Sequence, residues 1–139
     1  MTAVFLYGTL MDAEIRQHVF ADSIRESRLE SASARGYRAM TYPGQTYPVL
    51  AEAVGEHAEG LVLHNLNAEA LARMAFYEGP MYELGTPQIV TAAGESLLAH
   101  YNRAVEHDLV LDQPWSYEEW QSSGRLDLLE STRLHMTSY

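Results

Sequence analysis

Four apolar residues in a row, Val4-Phe5-Leu6-Tyr7, end at Gly8. A short unbroken apolar run bounded by a glycine predicts a buried strand. From Met11 to about Phe20 the pattern predicts a short helix with Ile15 and Val19 turned inward, opened by a Thr9/Asp12 capping box. Ala21 to Arg35 is polar and mixed, with Ser23, Ser27, Ser31 and Ser33, and reads as loop plus partial helix. Gly36 to Tyr42 alternates and is tyrosine-rich, which predicts a strand; Pro43-Gly44 is a turn, and Tyr47 to Val54 is a second strand that Pro48 starts or places at an edge. His57 to Leu66 carries Gly60 ahead of Leu61-Val62-Leu63, the pattern of a strand with a close backbone approach at the glycine. Asn67 is a good N-cap, and the helix it starts runs to Tyr77 or Glu78, where Gly79 and Pro80 stop it. Tyr82 to Val90 and Ser96 to Arg103 read as a strand pair around Ala93-Gly94, and Glu106 to Pro114 as a loop. Trp115 to Gln121 and Leu126 to His135 read as two C-terminal helices, separated by Ser122-Ser123-Gly124. Strands mostly adjacent in sequence, mixed with helices, point to an α+β class rather than a doubly wound sheet.

Composition narrows the function classes. At 139 residues the chain suits one domain, 1–139, with a core large enough to fold alone. Its apolar runs are far too short to cross a bilayer, and no signal-peptide pattern precedes Tyr7. The net charge is −10. So acidic a chain repels nucleic acid and anionic lipid, and neither is expected as a partner. An anionic substrate would need a local cradle of N–H donors, because the global field opposes it. There are no cysteines, which excludes a disulfide scaffold, a thiol nucleophile and thiolate metal sites, and fits a reducing cytoplasm.

Two places carry candidate chemistry. A strand, a glycine turn and a helix start leave backbone N–H groups around Gly8, Thr9 and Leu10 unpaired, a receptor for a carboxylate or phosphate. The same residues also fit an ordinary strand-to-helix connection. On the helix after Asn67, Glu78 falls on the same stripe as Leu71, Met74 and Ala75, which turns a carboxylate inward at the C-terminal end, where the helix dipole opposes negative charge. Burial and dipole both raise the pKa of such a group, as general acid–base catalysis requires. Fraying near Tyr77 would instead release Glu78 to water, and Glu83 is a nearby rival. Gly-rich phosphate loops and the G-x-S-x-G elbow are absent. None of the six histidines forms an H-E-x-x-H or an i, i+4 pair, so no protein-held metal is expected. Trp115, Tyr117 and Trp120 read as a packing anchor, with Glu118 and Glu119 solvated.

Six segments, in order, resemble the gamma-glutamylcyclotransferase-like fold, and most closely its branch named after plant avirulence-induced proteins. Tyr7-Gly8-Thr9-Leu10 looks like the Y-G-[ST]-L signature. Gly36-Tyr37-Arg38 is similar to a G-[FY]-x-R strand, with its arginine one position early. Tyr47-Pro48 and Ala58-Glu59-Gly60 resemble the branch's next two segments. Glu78-Gly79-Pro80-Met81-Tyr82 looks like E-G-x-x-Y, whose glutamate is the family's acid/base, and Trp115 to Trp120 resembles W-x-[FY]-E-E-W. Many members carry Asp three residues before that glutamate; here the position is Ala75, read as a change that makes the helix stripe more apolar.

The resemblance implies a small closed mixed β-barrel with flanking helices, a C-terminal helical segment and a cavity at one end. It implies an enzyme that cyclises a gamma-glutamyl amine or amino acid to 5-oxoproline with release of the amine, without metal or cofactor. Glu78 would be the catalytic residue. Tyr7, Gly8, Thr9 and Leu10 would bind substrate, with Tyr82 hydrogen-bonding nearby. The alternative on the same fold is a non-catalytic carboxylate-binding or interaction module. The leaving group and the oligomeric state stay open.

Overall fold

The computed structural model describes residues 2–79, 82–85, 88–99, 101–104 and 110–139. In chain order the elements are β1 (Thr2–Leu6), α1 (Ala13–Phe20), β2 (Arg28–Thr41), β3 (Pro48–Leu66), α2 (Ala68–Glu78), β4 (Tyr82–Gly85), β5 (Gln88–Thr91), β6 (Ser96–Leu98), β7 (Tyr101–Ala104), α3 (Tyr117–Ser123) and α4 (Arg125–Met136). Among the described residues no helix is long and apolar enough to cross a membrane.

The opening apolar run is buried on both faces because β1 lies between two cores. Val4 and Leu6 pack with Ile15, Val19, Phe20, Met74 and Trp120 in a helical layer. Phe5, with Tyr7 beyond it, turns the other way and packs with Ala32, Ala34, Val62 and Ile89. Alternation along the strand divides one run between two layers. Each fully buried large side chain stabilises the fold by about 1.5–3 kcal/mol.

The sheet is built on one long antiparallel hairpin, β2 with β3, whose register shifts between Arg35 and Tyr37. Gly36 and Gly55, at φ 81° and 82°, occupy the left-handed region at that irregularity. Residues 28–35, expected as loop plus partial helix, are therefore strand. The pattern is hidden because the inward positions are Ala32 and Ala34, both buried, and the outward ones include Ser31 and Arg35; alanine and serine carry little strand signal. At Gly60 the expected close approach is present: a Cβ there would lie 2.4 Å from the Leu6 carbonyl oxygen and 2.8 Å from Phe5 Cζ.

Strand order is β1-β3-β2-β5-β6, with β4 and β7 forming a separate two-stranded ribbon. The α+β class holds, but the expected closed barrel does not. Closure requires the two edge strands to pair, and among the described residues no ladder joins β1 to β6. The two arms expected around Ala93-Gly94 each break into short strands. The inner pair, β5–β6, extends the main sheet, and the outer pair, β4–β7, bonds to itself instead of bridging the edges. Residues 106–109 of the expected loop, with Pro80 and Met81, lie outside the described residues.

Asp12, not Thr9, caps α1. Residues Thr9–Met11 form a 3-10 turn first, and the Asp12 carboxylate accepts from Glu14 N at 3.0 Å and Ile15 N at 3.1 Å. Asn67 caps α2 as expected, accepting from Ala70 N at 2.8 Å, and Gly79 at φ 76° ends it. Helices α3 and α4 follow the predicted break at Gly124; Glu118 and Glu119 are exposed while Trp120 is buried against Trp115 and Tyr117.

Candidate active site

The apolar run of β1 ends at Tyr7, and the chain then tightens through Gly8 to Met11. Two hydrogen bonds close this turn, donated by Met11 N to the Gly8 carbonyl and by Asp12 N to the Thr9 carbonyl. The turn bonds none of the N–H groups of Gly8, Thr9 and Leu10 to itself. Arg16 Nη1 donates to the carbonyls of Leu10 (3.1 Å) and Met11 (2.6 Å) from one side. Gly8 is required by proximity: a Cβ would stand 2.7 Å from Pro48 Cγ.

Helix α2 delivers its C-terminal residues to the same place. Tyr77 and Thr9 share a 2.7 Å hydroxyl–hydroxyl hydrogen bond. Burial first, and the Glu78 charge second, push the Tyr77 phenol well above the usual tyrosine range, against the opposing effect of its Thr9 bond. It therefore stays protonated. Glu78 is half-buried and lines a cavity of about 230 Å³ together with Gly8, Thr9, Leu10, Tyr47 and Tyr77. That is below the roughly 300–1,000 Å³ of drug-sized ligand pockets and suits only a small ligand. Phe5, Leu6, Tyr7 and Pro48 complete the strand-side wall, and Leu128 enters from α4.

Tyr47 and Pro48 reach the cavity because the hairpin carries them there and the C-terminal segment fixes them. Trp115 Nε1 donates to the Thr46 carbonyl at 2.8 Å, and Trp115 N to the Ala39 carbonyl at 3.0 Å. The Tyr47 ring lies 5.6 Å from that of Tyr42. Burial, then Tyr42 and the Glu78 charge, raise the Tyr47 phenol above its ordinary range. Glu78 thus sits among phenols that remain neutral donors.

The structure brings Tyr7, Gly8, Thr9, Leu10 and Glu78 to one cavity. Tyr82 opens β4 opposite Ala104; its side chain, like that of Glu83, lies outside what the structure describes. Ala75 is exposed, which corrects its placement on the buried stripe: that face is made by Ala70, Met74 and the partly buried Leu71 and Tyr77. An aspartate at position 75 would face water rather than the cavity. Sequence reasoning did not single out Tyr77 or Leu128. Tyr77 follows Met74 by three residues, the spacing of one helix face, and that was the available signal.

A family pattern described as "Gamma-glutamyl cyclotransferase, AIG2-like" matches residues 4–122. The chain belongs to this family. AIG2-like protein A of Arabidopsis thaliana is 25% identical over 130 residues, which span 92% of this chain and 77% of that protein. An Arabidopsis thaliana protein solved in solution superposes with a TM-score of 0.66 at 21% identity, over 99% of this chain and 91% of the other. A solved gamma-glutamyl cyclotransferase gives a TM-score of 0.61 at 16% identity, over 95% and 86% of the two chains. At such identities these superpositions carry the fold alone. The family match spans both the glycine turn and Glu78, and it stops short of α4.

Proposed function

We propose that this protein is a cyclotransferase that converts a gamma-glutamyl amine or gamma-glutamyl amino acid into 5-oxoproline and the free amine. One observation carries the reading: a half-buried glutamate and the glycine turn line the same small cavity. The N–H groups of Gly8, Thr9 and Leu10 hold the substrate's α-carboxylate, which the chain's net charge of −10 would otherwise repel. Tyr7 flanks that carboxylate, and a contact from Tyr82 rests on the family resemblance alone. The substrate's α-amine attacks its own γ-carbonyl carbon. Glu78 takes a proton from the attacking nitrogen and delivers one to the leaving nitrogen. One C–N bond forms as another breaks, and no water, metal or cofactor enters the balance. Nucleophile and carbonyl belong to one molecule, so holding them in a near-attack pose supplies much of the acceleration. The neutral phenols of Tyr47 and Tyr77 keep donors beside Glu78 without adding charge.

Mass spectrometry on a panel of gamma-glutamyl amines and amino acids tests this. The expected result is 5-oxoproline from at least one compound, lost in Glu78→Gln. A panel without 5-oxoproline, or a fully active Glu78→Gln, overturns the reading; binding without turnover would favour a carboxylate-binding module.

A further inference from the structure

Helix α4 begins just past the matched family span, yet its first residue reaches back to the N-terminal turn. Arg125 Nε meets Asp12 Oδ2 at 2.5 Å, and its Nη2 meets Glu14 Oε1 at 2.7 Å. The Asp12 side chain is 5% exposed and that of Arg125 22%. This contact differs from that of the other arginine on α4. Arg133 bonds Glu130 one turn away with both side chains about half-exposed, the kind of surface pair that contributes little. Arg125 instead links residues 113 apart in sequence, and it does so at the hinge point of the site. Asp12 N closes the turn onto the Thr9 carbonyl, while the Asp12 carboxylate starts α1. Three residues further along α4, Leu128 lines the cavity itself.

We infer that Arg125 is a positioning residue for substrate binding: by holding Asp12 it fixes the Gly8–Leu10 turn, and α4 is thereby an integral part of the site. A guanidinium suits the task because its rigid planar fork aims separate N–H donors at two carboxylates, where an ammonium is a point charge without that fixed geometry. The turn grips a part of the substrate that does not change during the reaction. Loosening it therefore weakens ground state and transition state alike and shows in KM rather than kcat.

The kinetic half of the test rests on the cyclotransferase reading; the structural half does not. Hydrogen exchange of the Met11 and Asp12 amides, whose bonds close the turn, is measured in the wild type, Arg125→Ala, Arg125→Lys and Arg133→Ala. The expected result is faster exchange at these two amides in Arg125→Ala, an intermediate rate in Arg125→Lys, no change in Arg133→Ala, and unchanged protection in β3. Unchanged exchange at Met11 and Asp12, or loss of protection throughout the sheet, overturns the positioning role. With a substrate from the panel, KM rises about tenfold in Arg125→Ala while kcat stays within about threefold, and added guanidinium ion partly restores KM. A fall in kcat with KM unmoved overturns it as well. If the wild type turns over nothing, the cyclotransferase reading fails and the exchange data still decide this one.

Discussion

Asp12 stands at the N-terminal end of α1 and Glu78 at the C-terminal end of α2, and each is joined to the same short turn. Asp12 follows it directly; Glu78 adjoins Tyr77, which bonds Thr9. The two helix ends treat their carboxylates in opposite ways. Burial by itself would push the Asp12 pKa up, but the Arg125 guanidinium and the N–H groups of Ile15 and Glu14 outweigh it and hold the group below its ordinary value. The dipole at that helix end favours the charge too. Glu78 has the dipole against it and phenols around it. One carboxylate is fixed as an anion and serves architecture. The other is half-buried and faces the cavity beside the Gly8–Leu10 turn, the position that the proposed relay needs.

Breaking this contrast should have graded effects. The largest is expected from Glu78→Gln, which keeps the shape and removes the relay: turnover of a panel substrate should fall at least about a hundredfold with the melting temperature little changed, as kinetics and calorimetry would show. Gly8→Val drives a side chain toward Pro48 Cγ, 2.7 Å from where its Cβ would sit. Overpacking of that kind costs about 1–3 kcal/mol, and calorimetric binding of a gamma-glutamyl compound should vanish. Asp12→Ala removes the cap and should cost about 1 kcal/mol, lowering the melting temperature by about 3 °C. Tyr77→Phe removes the hydroxyl that bonds Thr9 and should cost about 1 kcal/mol by denaturant unfolding.

Acid sharpens the same comparison. The folded-state pKa of Asp12 lies below its ordinary value, and the unfolded value is about 3.9. Its stabilising contribution is therefore complete above the unfolded value and disappears as pH falls through the folded one. The melting-temperature gap between wild type and Asp12→Asn should be constant near neutrality and shrink below about pH 4.

The glycine turn and Glu78, which line one cavity, were both legible in the sequence, for physical reasons that can be named. Gly8 ends one apolar run and Gly60 precedes another, and Asn67 and Gly79 bracket α2; each of these residues acts locally, so its neighbours reveal it. What sequence pattern missed depends on distant partners. Residues 28–35 became strand because β3 supplies a ladder, despite alanine and serine side chains. Asp12 displaced Thr9 as cap because a 3-10 turn intervenes and Arg125, far along the chain, holds it. Ala75 was placed inward by helical spacing, yet α2 buries the adjacent stripe through Ala70 and Met74. The open sheet follows from two arms that each split between different partners. Tyr77 and Leu128 were silent because an aromatic or a leucine on a helix usually signals packing and nothing more.

Gly60 lies outside the cavity lining, yet a side chain there would disturb two residues that form it. A Cβ at 60 would stand 2.4 Å from the Leu6 carbonyl oxygen and 2.8 Å from Phe5 Cζ, and Leu6 and Phe5 both line the pocket. That wall keeps its place because the next strand presents a bare hydrogen to it.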